Sequence, residues 1–381
     1  MSDTRRHAPD PLLLGAVAGL CALGLVMVYS ASSVAALEAY GDGAYFLKRT
    51  LLWMALGAAA FGIAARVHYR AWRRFTLLFL LASFGLLVVV LIPGVGVVVN
   101  GARRWISLGP VTVQPVEATK LALVLYLAHF LAQRDLAVRD LRRGLLPPLV
   151  VLGVLSALVM RQPDMGSAVV LCVITSSLLY AGGARVRHLL GIGALGVPVA
   201  LAFALSEAYR RNRLLAFLDP WQDPQGIGFH IVQSLIAIGS GGLVGVGIGH
   251  SAQKFFYLPA RHTDFVFAIL AEELGFAGVA ILLALYVLFT ARMLRLAARA
   301  PDRYGALLAT GVGTWVAAQA TMNIGAVSGV LPVVGVPLPF LSFGGSSLFV
   351  LLVACGICFN LSRYTRDPNR LDALSSVQSG T

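Results

Sequence analysis

Apolar residues follow one another along this chain in long unbroken blocks, not in the one-sided stripe of a helix that faces water. Ten such blocks stand out, over 11–33, 46–66, 75–94, 116–133, 146–161, 165–183, 188–208, 265–290, 304–325 and 340–362. Most approach the roughly 20 residues that a helix needs to cross a hydrocarbon layer of about 30 Å. The blocks at 146–161 and 165–183 are short and lie close together, so nine spans is the alternative count. The pattern predicts an all-α polytopic membrane protein: a bundle of about ten transmembrane helices in a single domain, residues 1–363, with a short polar tail over 364–381.

The polar positions between the blocks alternate in character. Arg66, Arg70, Arg73 and Arg74 follow the second block, and Arg134, Arg139, Arg142 and Arg143 follow the fourth. Arg185 and Arg187, then Arg292, Arg295, Arg299 and Arg303, then Arg363, Arg366 and Arg370 repeat the theme, and Arg5 and Arg6 precede the first block. Arginine in every second connection is the signature of cytoplasmic loops, so both termini are expected in the cytoplasm. The 135–145 and 292–303 connections are then inside, and 209–264 forms a large extracytoplasmic loop. A first span preceded by arginines and followed by Ser30-Ala31-Ser32 has the outline of a signal peptide. Its apolar stretch is too long for one, and it is read as an anchor.

Composition adds little to that picture and removes one temptation. The 381 residues are 58% hydrophobic and 12% charged, with a net charge of +13 and a mean hydropathy of +0.81. The excess of positive charge is accounted for by topology, and no nucleic-acid partner is expected. Cys21, Cys172, Cys355 and Cys358 fall in apolar blocks and read as small buried side chains; no disulfide framework is implied. The glycines at 245, 247 and 249 do not form a dinucleotide or phosphate loop, and the stretch 228–249 reads as an interfacial or re-entrant helix with tight glycine returns.

Three connections on the expected outer side are exceptional: 95–115, 209–264 and the proline-rich 326–340. They carry charges that topology does not explain, including Arg103, Arg104, Lys254 and Arg261. Arg103 and Arg104 with Trp105 suit a phosphate headgroup at the interface, or plain interfacial anchoring. Glu117 and Lys120 begin the fourth span three residues apart, on one helix face. They form either a structural ion pair or the polar lining of a cavity. Asp164 reads as a helix cap or a partner of Arg161. Glu272 and Glu273 are adjacent, so the helix should turn them apart: both cannot face one small site, and at least one should make a structural contact with another span. Asp264 stands beside His262 at a loop-to-span junction. It is a helix cap, or a partly desolvated carboxylate of the kind that acts as general base or metal ligand.

Several stretches carry a resemblance over nearly the whole chain: GLVMVYSAS (24–32), NGARRWISLGPVTVQPVEATK (100–120), QPDMGSAVV (162–170), FLDPWQDPQGIGFHIVQSLIAIGSGGLVGVGIG (217–249), YLPARHTDFVFAILAEELG (257–275) and GVLPVVGVPLPFLSFGGSS (329–347). In these the chain resembles the SEDS family (shape, elongation, division and sporulation; the FtsW/RodA/SpoVE proteins). SAQKFFYLP (251–259) is more similar to the division and sporulation members than to the elongation member. Ala260 departs from the family, which has an acidic residue there. The resemblance implies a ten-helix fold and a peptidoglycan glycosyltransferase that polymerises lipid II on the outer face of the bacterial cytoplasmic membrane. It implies Asp264 as the essential carboxylate and Glu117 with Lys120 as a polar pair in a central cavity; Arg103, Arg104, Trp105, Lys254 and His262 complete the candidate substrate-binding set. A divalent cation, magnesium or manganese, is implied, with Asp264 as a possible ligand and no nucleotide, haem or flavin. The implied partners are a class B penicillin-binding protein and other divisome or elongasome membrane proteins. An elongation role, a lipid II flippase and a scaffold are the competing expectations.

Overall fold

The computed structural model describes residues 7–99, 101–109, 111–134, 140–206, 208–253, 263–333 and 335–365. Each of the ten predicted spans contains a helix: α1 Pro11–Tyr40, α2 Tyr45–Arg66, α3 Thr76–Val89, α4 Pro115–Ala132, α5 Leu146–Arg161, α6 Met165–Ala181 and α7 Val186–Ser206. Two shorter helices follow, α8 Ala208–Leu218 and α9 Phe229–Ser240, then α10 Val266–Ala298, α11 Arg303–Val327 and α12 Gly345–Ser362. Among the described residues, 7 helices are long and apolar enough to cross a membrane. The outward faces have the polarity of such a protein. Leu77, Leu78, Leu81, Ile281 and Val287 are all exposed, and apolar surface of that extent calls for a hydrocarbon solvent.

The centre is built from α4, α11 and α12. Leu123, Val124 and Leu127 of α4, Trp315 and Val316 of α11, and Leu351 and Cys355 of α12 have essentially no exposed surface. One end of the bundle gathers the arginines. There Asp302 caps α11 and pairs with Arg70 at 2.7 Å, and Asp10 caps α1 and pairs with Arg292 at 2.6 Å. The backbone N–H of His7 donates to the carbonyl of Arg363 at 2.8 Å. The first and last described segments therefore meet at this end, as the alternation of the loops requires.

The opposite end carries what the spans alone did not announce. Residues 96–113 form a three-stranded antiparallel sheet, β1 Gly96–Val99, β2 Ala102–Leu108 and β3 Val111–Val113. Val99 pairs with Ala102 and Gly101 has φ 76°, where the sequence between the strands reads Asn-Gly. That is the strongest short hairpin signal, and β-branched residues flank it. The register skips between Val97, opposite Trp105, and Val98, opposite Arg103. Arg104 is thus the extra residue of a β-bulge, a device that re-aims one side chain.

A second unannounced feature is a break in α10. Gly275 has φ 62°, ψ −162°, a conformation essentially closed to residues with a Cβ. The helical bonds from 276 to 272 and from 277 to 273 are replaced by bonds to a passing chain. Phe276 and Ala277 donate to the carbonyls of Gly242 and Leu243 at 2.9 and 3.0 Å, while Val246 and Gly247 donate to those of Glu272 and Glu273 at 3.0 Å each. Every freed backbone group is satisfied, as an apolar surrounding demands. The glycines of 241–249 thus serve to lay a chain against a broken helix.

Candidate active site

Pro115 opens α4 directly after β3, and Glu117 falls in the first turn, where the helix dipole favours a carboxylate. Lys120 follows one turn later. Both are enclosed by protein, at 1% and 0% exposure, with Nζ 2.8 Å from Oε1. The other carboxylate oxygen of Glu117 accepts from the Ser347 hydroxyl at 3.0 Å. Lys120 also donates to Gln319 Oε1 at 3.0 Å and lies 5.7 Å above the Trp315 ring. Each charge therefore has a counter-charge and a second polar partner, the condition for burying an ion pair without a large penalty.

The pair connects to the Asp264 junction through α11. Trp315, Gln319 and Asn323 recur at four-residue spacing and share a face. Gln319 Oε1 accepts from the Trp315 indole at 2.9 Å as well as from Lys120, and its Nε2 donates to the Pro337 carbonyl at 2.9 Å. One turn on, Asn323 Nδ2 donates to the carbonyls of Val336 and Asp264, each at 2.8 Å. The 336–342 segment is pinned from other sides too. Ser342 Oγ accepts from the Leu338 N–H at 2.8 Å and donates to the Thr263 carbonyl. Tyr286 donates to the Pro339 carbonyl at 2.6 Å, and Phe340 is held at φ 66°, unusual for an aromatic residue. Sequence reading missed Gln319, Asn323 and Ser347. The signal was present as amides at i and i+4 on an apolar helix, where polar side chains face inward.

Asp264 itself is half-buried. Helix α10 begins at Val266 with Phe265 in the capping position and no side-chain capping bond from it. Asp264 therefore stands one residue before the cap. Its backbone carbonyl is held by Asn323.

The sheet residues divide. Arg104, re-aimed by the bulge, donates Nε to the Gln162 carbonyl at 2.9 Å and Nη2 to that of Pro163, closing the end of α5. Arg103 is half-buried, with Nη1 3.5 Å from the Leu91 carbonyl, at the limit of a hydrogen bond. Trp105 is half-buried opposite Val97. The sheet meets the α12 terminus where the Gln114 N–H donates to Ser346 Oγ at 3.1 Å, one residue from the serine that holds Glu117. Lys254, Arg261 and His262 lie outside the described residues. Asp164 caps α6, accepting from the N–H of Ser167 at 3.1 Å and from its hydroxyl at 2.8 Å.

Glu272 and Glu273 diverge, and Glu273 meets another span, as expected; what they share was not. Both are buried, and both reach the same short segment. Glu272 accepts from the Ser251 hydroxyl and, at 2.9 Å, from the Ala252 N–H. Glu273 accepts from Ser30 of α1 at 2.6 Å and from the Ser251 N–H at 3.4 Å. The two side chains do diverge, but the chain at 251–252 runs across the helix and meets both.

Among the described residues no three of His, Cys, Asp and Glu come together as metal ligands. A closed protein cage for a hard cation is not built here. The half-buried Asp264 suits the other mode of magnesium binding, in which a protein carboxylate is completed by substrate phosphate oxygens and water.

The FtsW/RodA/SpoVE family model, described as cell cycle protein, matches residues 11–367. Stage V sporulation protein E of Bacillus subtilis is 44% identical over 363 residues, 95% of this chain and 99% of that one. A probable peptidoglycan glycosyltransferase FtsW of Trichlorobacter lovleyi is 44% identical over 353 residues, covering 93% of each. A solved structure, described as structural coordination of polymerization and crosslinking by a peptidoglycan synthase complex, superposes with a TM-score of 0.77 at 34% identity, covering 93% of this chain and 98% of that one.

Proposed function

This chain belongs to the FtsW/RodA/SpoVE family of cell cycle proteins, and on that premise we propose that it is a peptidoglycan glycosyltransferase that polymerises lipid II. The names of its relatives support the activity. The observation that carries the chemistry is Asp264: a half-buried aspartate at the loop-to-helix junction, on a backbone held by the Asn323 amide and, one residue earlier, by the Ser342 hydroxyl.

Lipid II is amphipathic, with a polyprenyl tail for the bilayer, a pyrophosphate, and a sugar for water. A site at the membrane rim accommodates all three. Asp264 takes the proton from the acceptor sugar hydroxyl as that oxygen attacks the anomeric carbon of the donor. The bond from that carbon to the pyrophosphate oxygen breaks, the polyprenyl pyrophosphate leaves with the bonding pair, and the α-linkage becomes β in one displacement. Arg103 stabilises the charge that develops on the leaving group, as oxyanion donors do. Arg104 serves the fold, because its guanidinium closes α5. A magnesium or manganese ion would be held by Asp264 and would supply further neutralisation of the leaving-group charge.

The site faces outward across the bacterial cytoplasmic membrane, with the arginine-rich end inside. The partner is a class B penicillin-binding protein that crosslinks the new strands, within an assembly of other division membrane proteins. SAQKFFYLP and the FtsW relatives favour septal synthesis. Purified protein given labelled lipid II should yield glycan strands; movement of lipid II across vesicles without polymer, in the presence of partner, would overturn the reading in favour of a carrier. Depletion in cells should give filaments with unfinished septa, whereas round cells that still divide would assign the chain to elongation.

A further inference from the structure

Asn323 is 3% exposed, and both hydrogens of its amide nitrogen are engaged, one on Asp264 and one on Val336. These two acceptors fix the orientation of the amide. Rotated by half a turn, it would press an oxygen against two carbonyl oxygens. Oδ1 therefore faces the other way, where it is buried with no hydrogen-bond partner. Asn323 also lines a void of about 10 Å³ with Asp264, Phe265, Met322 and Val333. A void of that size admits about one water, the size of partner that a lone amide oxygen requires.

We propose that Asn323 is the positioning residue for Asp264: its amide nitrogen sets the place of the Asp264 carbonyl, and its oxygen holds a single water in the void beside it. The inference rests on the reading of Asp264 as the reacting carboxylate. A general base works only within about 2.6–3.2 Å of the proton that it takes, and Asp264 lies at the end of a loop, before the helix has begun. Asn323 joins that residue to α11 and to the 336–342 segment at one point. Gln319, a turn away, joins the same segment to Lys120. The buried ion pair and Asp264 are thereby referred to one rigid helix, a hydrogen-bonded path from Glu117 to the Asp264 backbone.

Asn323→Ala in the full-length protein tests this, with kcat and KM for lipid II and amide exchange measured together. The expected result is a loss of roughly 10- to 100-fold in kcat, the scale of a misplacement near 1 Å, with KM within about threefold of the original. Exchange should quicken over 264–268 and stay slow within α11. Asn323→Asp should recover part of the rate, because a buried carboxyl facing two carbonyl oxygens takes up its proton and keeps one donor. Should the alanine protein fail to accumulate, Asn323→Ser, which keeps one donor, replaces it in the same comparison. Normal kcat in Asn323→Ala, or faster exchange spread evenly through α10 and α11 with kcat per folded molecule unchanged, overturns the proposal. Asp264→Asn run alongside separates the two claims: an active Asp264→Asn protein defeats the reading of Asp264, whereas an inactive one beside a fully active Asn323→Ala protein defeats the positioning role alone.

Discussion

Replacing Lys120 by methionine removes an ammonium 2.8 Å from the Glu117 carboxylate and leaves that carboxylate, 1% exposed, with the Ser347 hydroxyl at 3.0 Å. The gross attraction lost is about 6 kcal/mol at that distance and an effective dielectric near 20. Most of it offsets the cost of taking two charges out of water, so the net worth of the pair is small. Breaking the pair is another matter: an unpaired buried charge costs about 3–5 kcal/mol. Glu117→Leu alone should cost somewhat less, because Lys120 keeps Gln319 at 3.0 Å and the face of Trp315. Joining Glu117→Leu to Lys120→Met removes both charges and fills the space with apolar atoms, which is commonly neutral or stabilising. The single losses should therefore exceed the double loss by roughly 3 kcal/mol or more, a coupling far outside the ~0.5 kcal/mol scatter of independent sites. Unfolding by sodium dodecyl sulfate titration in mixed micelles gives these free energies, and polymerisation of labelled lipid II is followed on the same samples. The apolar double variant should regain stability without regaining polymerisation, since Lys120 would no longer tie Gln319 and, through it, the 336–342 segment. Losses that add within ~0.5 kcal/mol would refute the coupling, and a fully active apolar double variant would reduce the pair to a structural tie.

Two further substitutions separate fold from site. Gly275→Ala would bring a Cβ to 2.3 Å from the Gly245 nitrogen, where φ is also 62°; it should abolish folded protein in size-exclusion profiles, whereas Gly62→Ala, with nothing within 4 Å, should leave them unchanged. Arg104→Ala frees the Gln162 and Pro163 carbonyls and should lower stability by about 1–3 kcal/mol with kcat per folded molecule unchanged; Arg103→Ala should lower kcat and leave the melting temperature alone, and the reverse outcome would exchange the roles given to the two arginines.

The spans were legible because a bilayer demands unbroken apolar length, and each predicted block carries a helix. The break at Gly275 was not, since apolar residues continue on both sides of it. What interrupts the helix is a chain from 242–247, thirty residues upstream in sequence, and no local pattern reports a partner that arrives from elsewhere. The sheet had its signal in Asn100-Gly101 and in the valines around it, within a stretch that reads first as an outer connection. Glu117 with Lys120 was visible from spacing. Their enclosure by Ser347, Gln319 and Trp315 required three helices to be brought together. Arg104 was grouped with Arg103 by adjacency alone, and a one-residue bulge in the register gave them different work.

One carboxylate carries the chemistry, and Asp264→Asn isolates it. The substitution keeps size and shape, and the backbone carbonyl that Asn323 holds is untouched. What disappears is the ability to accept a proton or bind a hard cation. General-base catalysis contributes about 10²–10⁴-fold, so the purified variant should polymerise lipid II at no more than about a hundredth of the normal rate, with its melting temperature unchanged. A folded Asp264→Asn protein that polymerises at more than about a tenth of the normal rate, well outside that range, would contradict the account.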